Sequence, residues 1–126
     1  MTIALARSRY RQAEAVGQPR VEDPHAVIAV TLAELIRAMD VLAAARAASR
    51  PAPSDHSTRA LTAIYILQSS LDFEQGGDIA MSLFELYEYA RLQVLKAGRG
   101  EGCDLDAARG AVAEILSAWR EIGPAR

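Results

Sequence analysis

Several things are scarce in this 126-residue chain, and each scarcity removes a class of protein. Its single cysteine, Cys103, cannot close an internal disulfide, so a disulfide-stapled secreted scaffold is excluded and a reducing, cytoplasmic setting is expected. Aromatic residues make up 6% of the chain, too few for a β-sandwich core. The formal net charge of −2 offers no general basic face, so duplex nucleic acid is not an expected partner. No stretch approaches the roughly 18 consecutive apolar residues of a membrane span. The first fifteen residues carry Arg7, Arg9, Arg11 and Glu14, which break any signal-peptide core. The five prolines and most of the eight glycines cluster between apolar-periodic stretches.

What remains is rich in helix formers, with alanine alone supplying about a fifth of the chain. Residues 1–22 read as a basic N-terminal arm, interrupted at Gly17-Gln18-Pro19, with one short helix around Ala4–Val16. Asp23-Pro24 then supplies an N-cap and a first-turn proline. Behind it Ile28, Leu32, Leu35, Met39 and Leu42 recur at alternating spacings of four and three, the signature of one buried helical stripe. This helix is expected to run from Pro24 to about Ala48, where Pro51 and Pro53 stop it.

A second helix is expected to start within Asp55–Thr58, to present Ala60, Ile64, Leu67 and Leu71 inward, and to end at Gly76-Gly77 in a tight turn with a positive φ. Asp78 is the expected cap of a third helix, with Ile79, Leu83, Leu86 and Ala90 inside and Gly98, Gly100 and Gly102 beyond its end. Asp104 is the expected cap of a fourth, whose stripe is Leu105, Ala108, Val112, Ile115, Trp119 and Ile122, with Gly123-Pro124 as the stop. Leu71, Leu86, Val112 and Trp119 are expected in one core. Short links between such helices favour antiparallel neighbours, so the expectation is all-α: an up-down-up-down four-helix bundle over residues 23–122, preceded by a helical arm and followed by a tail, 123–126.

Chemistry is sparse. A carboxylate di-metal site needs two Glu-x-x-His pairs. Glu22-Asp23-Pro24-His25 spells one across a helix cap, but Pro53 stands three residues before His56. Both histidines read as solvated residues near helix starts. Cys103 lies beside a helix start, which can activate a thiol, but no histidine is near it in sequence. Gly98–Gly102 lacks the strand before it and the Gly-Lys-Ser/Thr of a phosphate loop. No catalytic set, metal site or cofactor site is therefore assigned, and an enzyme is not expected.

Two features stand out instead. Asp72, Glu74, Asp78, Glu85 and Glu88 fall in a stretch without Lys or Arg. The acids near the helix start suit the helix dipole; an acidic patch for a basic partner is the functional alternative. The second feature is apolar surplus: Leu61, Tyr65, Ile66 and Phe73, then Met81, Phe84, Tyr87, Leu92 and Leu95, many of them outside the inner seams. Wider burial within a monomer, a homodimer interface and a groove for an amphipathic partner helix all account for it.

The ordered block Ser70-Leu71-Asp72, Gly76-Gly77, Ile79-Ala80, then Leu83, Leu86-Tyr87 and Tyr89, resembles the flagellar export chaperone family FliS. The preceding Ala60–Leu67, the later Ala118-Trp119 and the early Tyr10-Arg11 fit the same pattern, so the resemblance spans about Tyr10 to Trp119. The family's Thr-Ala-Ser-Pro before the first long helix is here Val21-Glu22-Asp23-Pro24, which keeps the proline and a capping residue. The resemblance implies a cytoplasmic chaperone that binds the C-terminal segment of flagellin, blocks premature polymerisation and delivers it to the flagellar type III export gate. The cargo groove is then expected at Tyr65, Ile66, Phe73, Met81, Phe84, Tyr87 and Leu95. The arm would cover part of it through Ile3, Leu5, Tyr10 and Val16. A helical interaction or regulatory protein without flagellin cargo is the alternative.

Overall fold

The structure is a computed structural model and describes residues 23–123; the expected arm, with Ile3, Leu5, Tyr10 and Val16, lies outside the described residues. Those described residues form four helices and no strand: α1 (Pro24–Ala47), α2 (Ser54–Ser69), α3 (Phe73–Gly98) and α4 (Leu105–Ile122). They pack as a helical bundle in which α1 and α3 each lie against both α2 and α4.

The helix ends follow from local chemistry. The Asp23 carboxylate accepts the His25 amide at 2.9 Å, and Pro24 opens α1 where its missing N–H is not needed. At the far end Ser49 takes φ 56°, and the Arg50 amide turns back onto the Ala45 carbonyl at 2.8 Å before the prolines. The start of α2 has no side-chain cap; the Pro53 carbonyl accepts from the His56 and Ser57 amides instead.

The α2–α3 boundary differs from the expectation. The chain leaves α2 at Ser69–Ser70, and Asp72, not Asp78, starts α3. The Asp72 carboxylate accepts the Glu74 and Gln75 amides, both at 3.0 Å. Gly77 does take a positive φ (φ 52°, ψ −125°), but as a kink inside α3 rather than as the link between helices. An aspartate followed by three free amides forms a cap wherever the chain permits a helical turn, and the four residues before Gly77 permit one.

Leu32, Leu35, Met39 and Leu42 of α1 are fully buried, against Ile64 and Leu67 of α2, Val94 of α3 and Val112 of α4. Ile28, Leu71, Ile115 and Trp119 are partly buried against this cluster. Two expectations fail here. On α3 the inward row is Ala80, Leu83, Tyr87, Ala90, Val94 and Ala97, so Ile79 is 73% exposed and Leu86 only half-buried. Leu83 and Ala90 lie on the row as expected, but Ala80 and Tyr87 take the places expected of Ile79 and Leu86, and the Tyr87 ring offers more apolar area to bury than Leu86. On α4, Leu116 joins the core, while Ile122 in the last turn is 73% exposed.

Truncating a fully buried leucine loses transfer energy and leaves a cavity. Leu35→Ala is expected to lower unfolding free energy by about 2–5 kcal/mol, and Leu86→Ala by clearly less. Urea denaturation of the two variants checks this; equal losses would mean that α3 carries the phase read from sequence.

Candidate functional site

Among the described residues, most of the exposed large apolar side chains lie on α2 and α3; Val30 on α1 and Ile122 on α4 are the others. Tyr65 is exposed on α2; Phe73 and Met81 are exposed on α3, and Phe84 and Leu95 of the same helix are half-buried. The Phe73 and Phe84 rings meet edge to face, 6.0 Å apart at 61°. This arrangement suits aromatic quadrupoles and leaves both rings partly open.

A polar bridge crosses the same surface. Gln68 of α2 donates through Nε2 to Glu88 Oε1 at 3.1 Å and to the Phe84 carbonyl at 3.4 Å, tying the two helices together. Glu88 also accepts from Arg91 one turn on, as an ion pair. The Arg91 hydrogen bond first, and Gln68 second, hold the Glu88 carboxyl far below its ordinary range, at about 2. Of the acidic run, Asp72 serves as a helix cap and Glu88 is paired, while Glu74, Asp78 and Glu85 are exposed.

Not every residue expected in the groove belongs to this surface. Ile66 and Tyr87 are buried, Tyr87 at 3% exposure, and burial pushes its phenol up to about 12. Both pack in the protein interior. Conversely, Ile79, Tyr89 and Leu92 are exposed apolar residues that the expected set omitted. Leu92 was legible as surplus on α3; Ile79 was not, since the apolar repeat places it on the inner stripe. Tyr89 donates to Asp104 at 3.3 Å, and the Asp104 amide donates to the buried Gln93 side chain at 2.7 Å, so Asp104 is held by α3 instead of capping α4 with its carboxylate.

The histidines are not solvated as expected. His25 stacks on Trp119, with ring centroids 4.7 Å apart and 9° between planes. His25 Nε2 donates to the Trp119 carbonyl at 2.7 Å, and Trp119 Nε1 donates to the His25 carbonyl at 2.8 Å. This reciprocal clasp joins the start of α1 to the end of α4. His56 Nδ1 and Ser57 Oγ are buried without a hydrogen-bond partner. Among the described residues no three His, Cys, Asp or Glu side chains are grouped to hold a metal ion, and no helix is long and apolar enough to cross a membrane.

Fold and surface together define a helical bundle whose most developed external feature is an apolar face. The chain belongs to the FliS family: the family described as "Flagellar protein FliS" matches residues 6–126. The flagellar secretion chaperone FliS of Vibrio cholerae serotype O1 is 31% identical over 117 residues, 91% of this chain and 86% of that protein. The flagellar secretion chaperone FliS of Salmonella typhimurium is 37% identical over 59 residues, 46% of this chain and 44% of that protein. No solved structure matches the chain.

The depressed Glu88 pKa carries a pH dependence with a definite sign. Its folded value lies below the ordinary 4.5, so the stabilisation it brings is complete above about pH 4.5 and is lost as pH falls through about 2. Gln68→Ala is expected to raise the Glu88 midpoint, and Arg91→Ala to raise it further. A carboxyl-detected NMR titration reads both; an unmoved midpoint in Arg91→Ala would remove the ion pair as the cause.

Proposed function

We propose that this protein is a cytoplasmic export chaperone that binds the C-terminal segment of flagellin, keeps it from polymerising and delivers it to the flagellar type III export apparatus. The observation that carries the reading is the exposed apolar face of Tyr65, Phe73, Met81, Phe84 and Leu95 on a member of a family whose named relatives are flagellar secretion chaperones. An amphipathic helix laid on such a face buries apolar area from both partners without any cofactor. The acidic residues around it discriminate against acidic segments.

The proposal extends to architecture. Residues 23–122 form an antiparallel up-down-up-down bundle. In support, His25 meets Trp119 while Asp40 meets Arg109 at 2.9 Å, so numbering rises along α1 as it falls along α4. Gln68 on Glu88 and Asp104 on Gln93 fit the same alternation for the other pairs. Residues 1–22 act as an arm and 123–126 as a tail. The arm competes with cargo: Ile3, Leu5, Tyr10 and Val16 supply apolar contacts, and its arginines approach the acidic stretch. A tethered competitor acts at an effective concentration of about millimolar for a short linker.

Calorimetric titration with a flagellin C-terminal peptide tests the reading. Binding is expected, with Tyr65→Ala and Phe84→Ala each weakening it about tenfold, ~1.4 kcal/mol. Failure of the folded wild type to bind sinks the flagellin assignment in favour of another interaction partner. Deleting residues 1–16 is expected to tighten binding about tenfold, because apparent affinity falls with the fraction of open protein. Equal or weaker binding after deletion rejects the competitor.

A further inference from the structure

The first turn of α3 is attached to the bundle in an unusual way. Residues 73–76 form a turn closed on itself: the Asp72 carboxylate accepts from Glu74 and Gln75, and the Gly76 amide donates to the Asp72 carbonyl at 2.7 Å. Gly77 follows at φ 52°, ψ −125°, a backbone conformation that a side chain makes unfavourable. The reversal brings Gly76 so close to Ala80 that a Cβ on residue 76 would lie 2.8 Å from the Ala80 Cβ. Two successive residues must therefore be glycine for the kink to exist, each for its own reason. The visible product of the kink is the Phe73–Phe84 ring contact at 6.0 Å.

A straight α3 has a different surface. Eleven residues at 1.5 Å each would separate Phe73 from Phe84 by about 16 Å along the axis, so the rings would no longer touch. At 3.6 residues per turn, Phe73, Met81, Phe84 and Leu95 would fall within about 80° of arc. They would line one stripe beside the core row, a full turn longer than the stripe of the kinked form. Chain connectivity permits this. Helix axes about 10 Å apart and one added turn demand a span of about 11 Å from Ser69 to Phe73. Four residues reach about 14 Å.

We propose that Gly76-Gly77 is a two-state hinge: in the kinked state the first turn of α3 folds Phe73 onto Phe84, and in the straight state the turn extends the apolar face to receive one more turn of an amphipathic partner helix. The inference rests on the reading of the α2–α3 face as the cargo surface, but the hinge can be read in the free protein. Alanine at either glycine disfavours the kink, through the Ala80 clash at 76 or the positive φ at 77, and favours the straight helix, where alanine outranks glycine.

The experiment compares wild type, Gly76→Ala and Gly77→Ala, with Gly110→Ala as control; Gly110 lies in α4 with nothing within 4 Å of an added Cβ. NMR cross-relaxation between the Phe73 and Phe84 rings is measured first without ligand. Contact is expected in wild type and Gly110→Ala and lost in the two hinge variants. A contact retained in both hinge variants overturns the hinge. Adding saturating flagellin C-terminal peptide to wild type is expected to abolish the ring contact, and a contact that persists in the complex overturns the proposal even if neither variant folds. The hinge variants are expected to bind the peptide about threefold or more tightly than wild type; unchanged affinity overturns the claim that the extended stripe receives the partner. If no form binds the peptide, the cargo reading fails, while the ligand-free contacts still decide the hinge.

Discussion

Tyr87 sits in the interior where the repeat of apolar residues invites Leu86, while Leu83 and Ala90 keep their expected places, so the core face of α3 is turned by less than the roughly 100° of one residue. That rotation decides the outside as much as the inside. It brings Ala80, Val94 and Ala97 onto the core beside the expected Ala90 and sends Ile79 to the surface. The small residues on the row let α3 approach its neighbours closely, and the tyrosine ring fills the remaining width.

The bundle is held by apolar burial centred on α1, whose Leu32, Leu35, Met39 and Leu42 are inaccessible to water. Polar interactions serve mainly to fix ends and register. The His25–Trp119 clasp binds the first turn of α1 to the last of α4 by stacking and two reciprocal hydrogen bonds. Gln93 and Tyr89 hold Asp104 at the α3–α4 connection, and Gln68 links α2 to α3. The exposed Asp40–Arg109 pair adds little, since solvent screens it and two long side chains must be held still.

Large exposed apolar patches on a folded domain mark interaction surfaces. Here the face lies on the two helices that Gln68 ties together through Glu88 and the Phe84 carbonyl. Its aromatic members contribute large area with few rotatable bonds, which limits the entropy lost on binding. A site of this kind needs no metal, nucleophile or phosphate loop. Its chemistry is the removal of apolar surface from water, consistent with a chaperone family.

Local signals determined much of this protein. The Asp23-Pro24 cap, the stripe Leu32–Leu42, the double proline after α1 and the glycine after α4 act within a few residues, so they were legible one segment at a time. The ordered Ser-Leu-Asp, Gly-Gly and Leu-Tyr-x-Tyr words likewise carried the family. Tertiary structure alone decided what depends on distant partners or on competing local options. Asp72 and Asp78 are equally good caps in isolation; the start of α3 went to Asp72 because Gly77 can reverse the chain behind it. Leu86 and Tyr87 are both apolar enough to bury, and only the neighbouring helices choose between them. That choice removed Tyr87 from the apolar face and exposed Ile79. His25 and Trp119 stand far apart in sequence, and their clasp exists only because the bundle brings two helix ends together. Periodicity records how many faces a helix has, whereas the packing of its neighbours determines which face is turned inward.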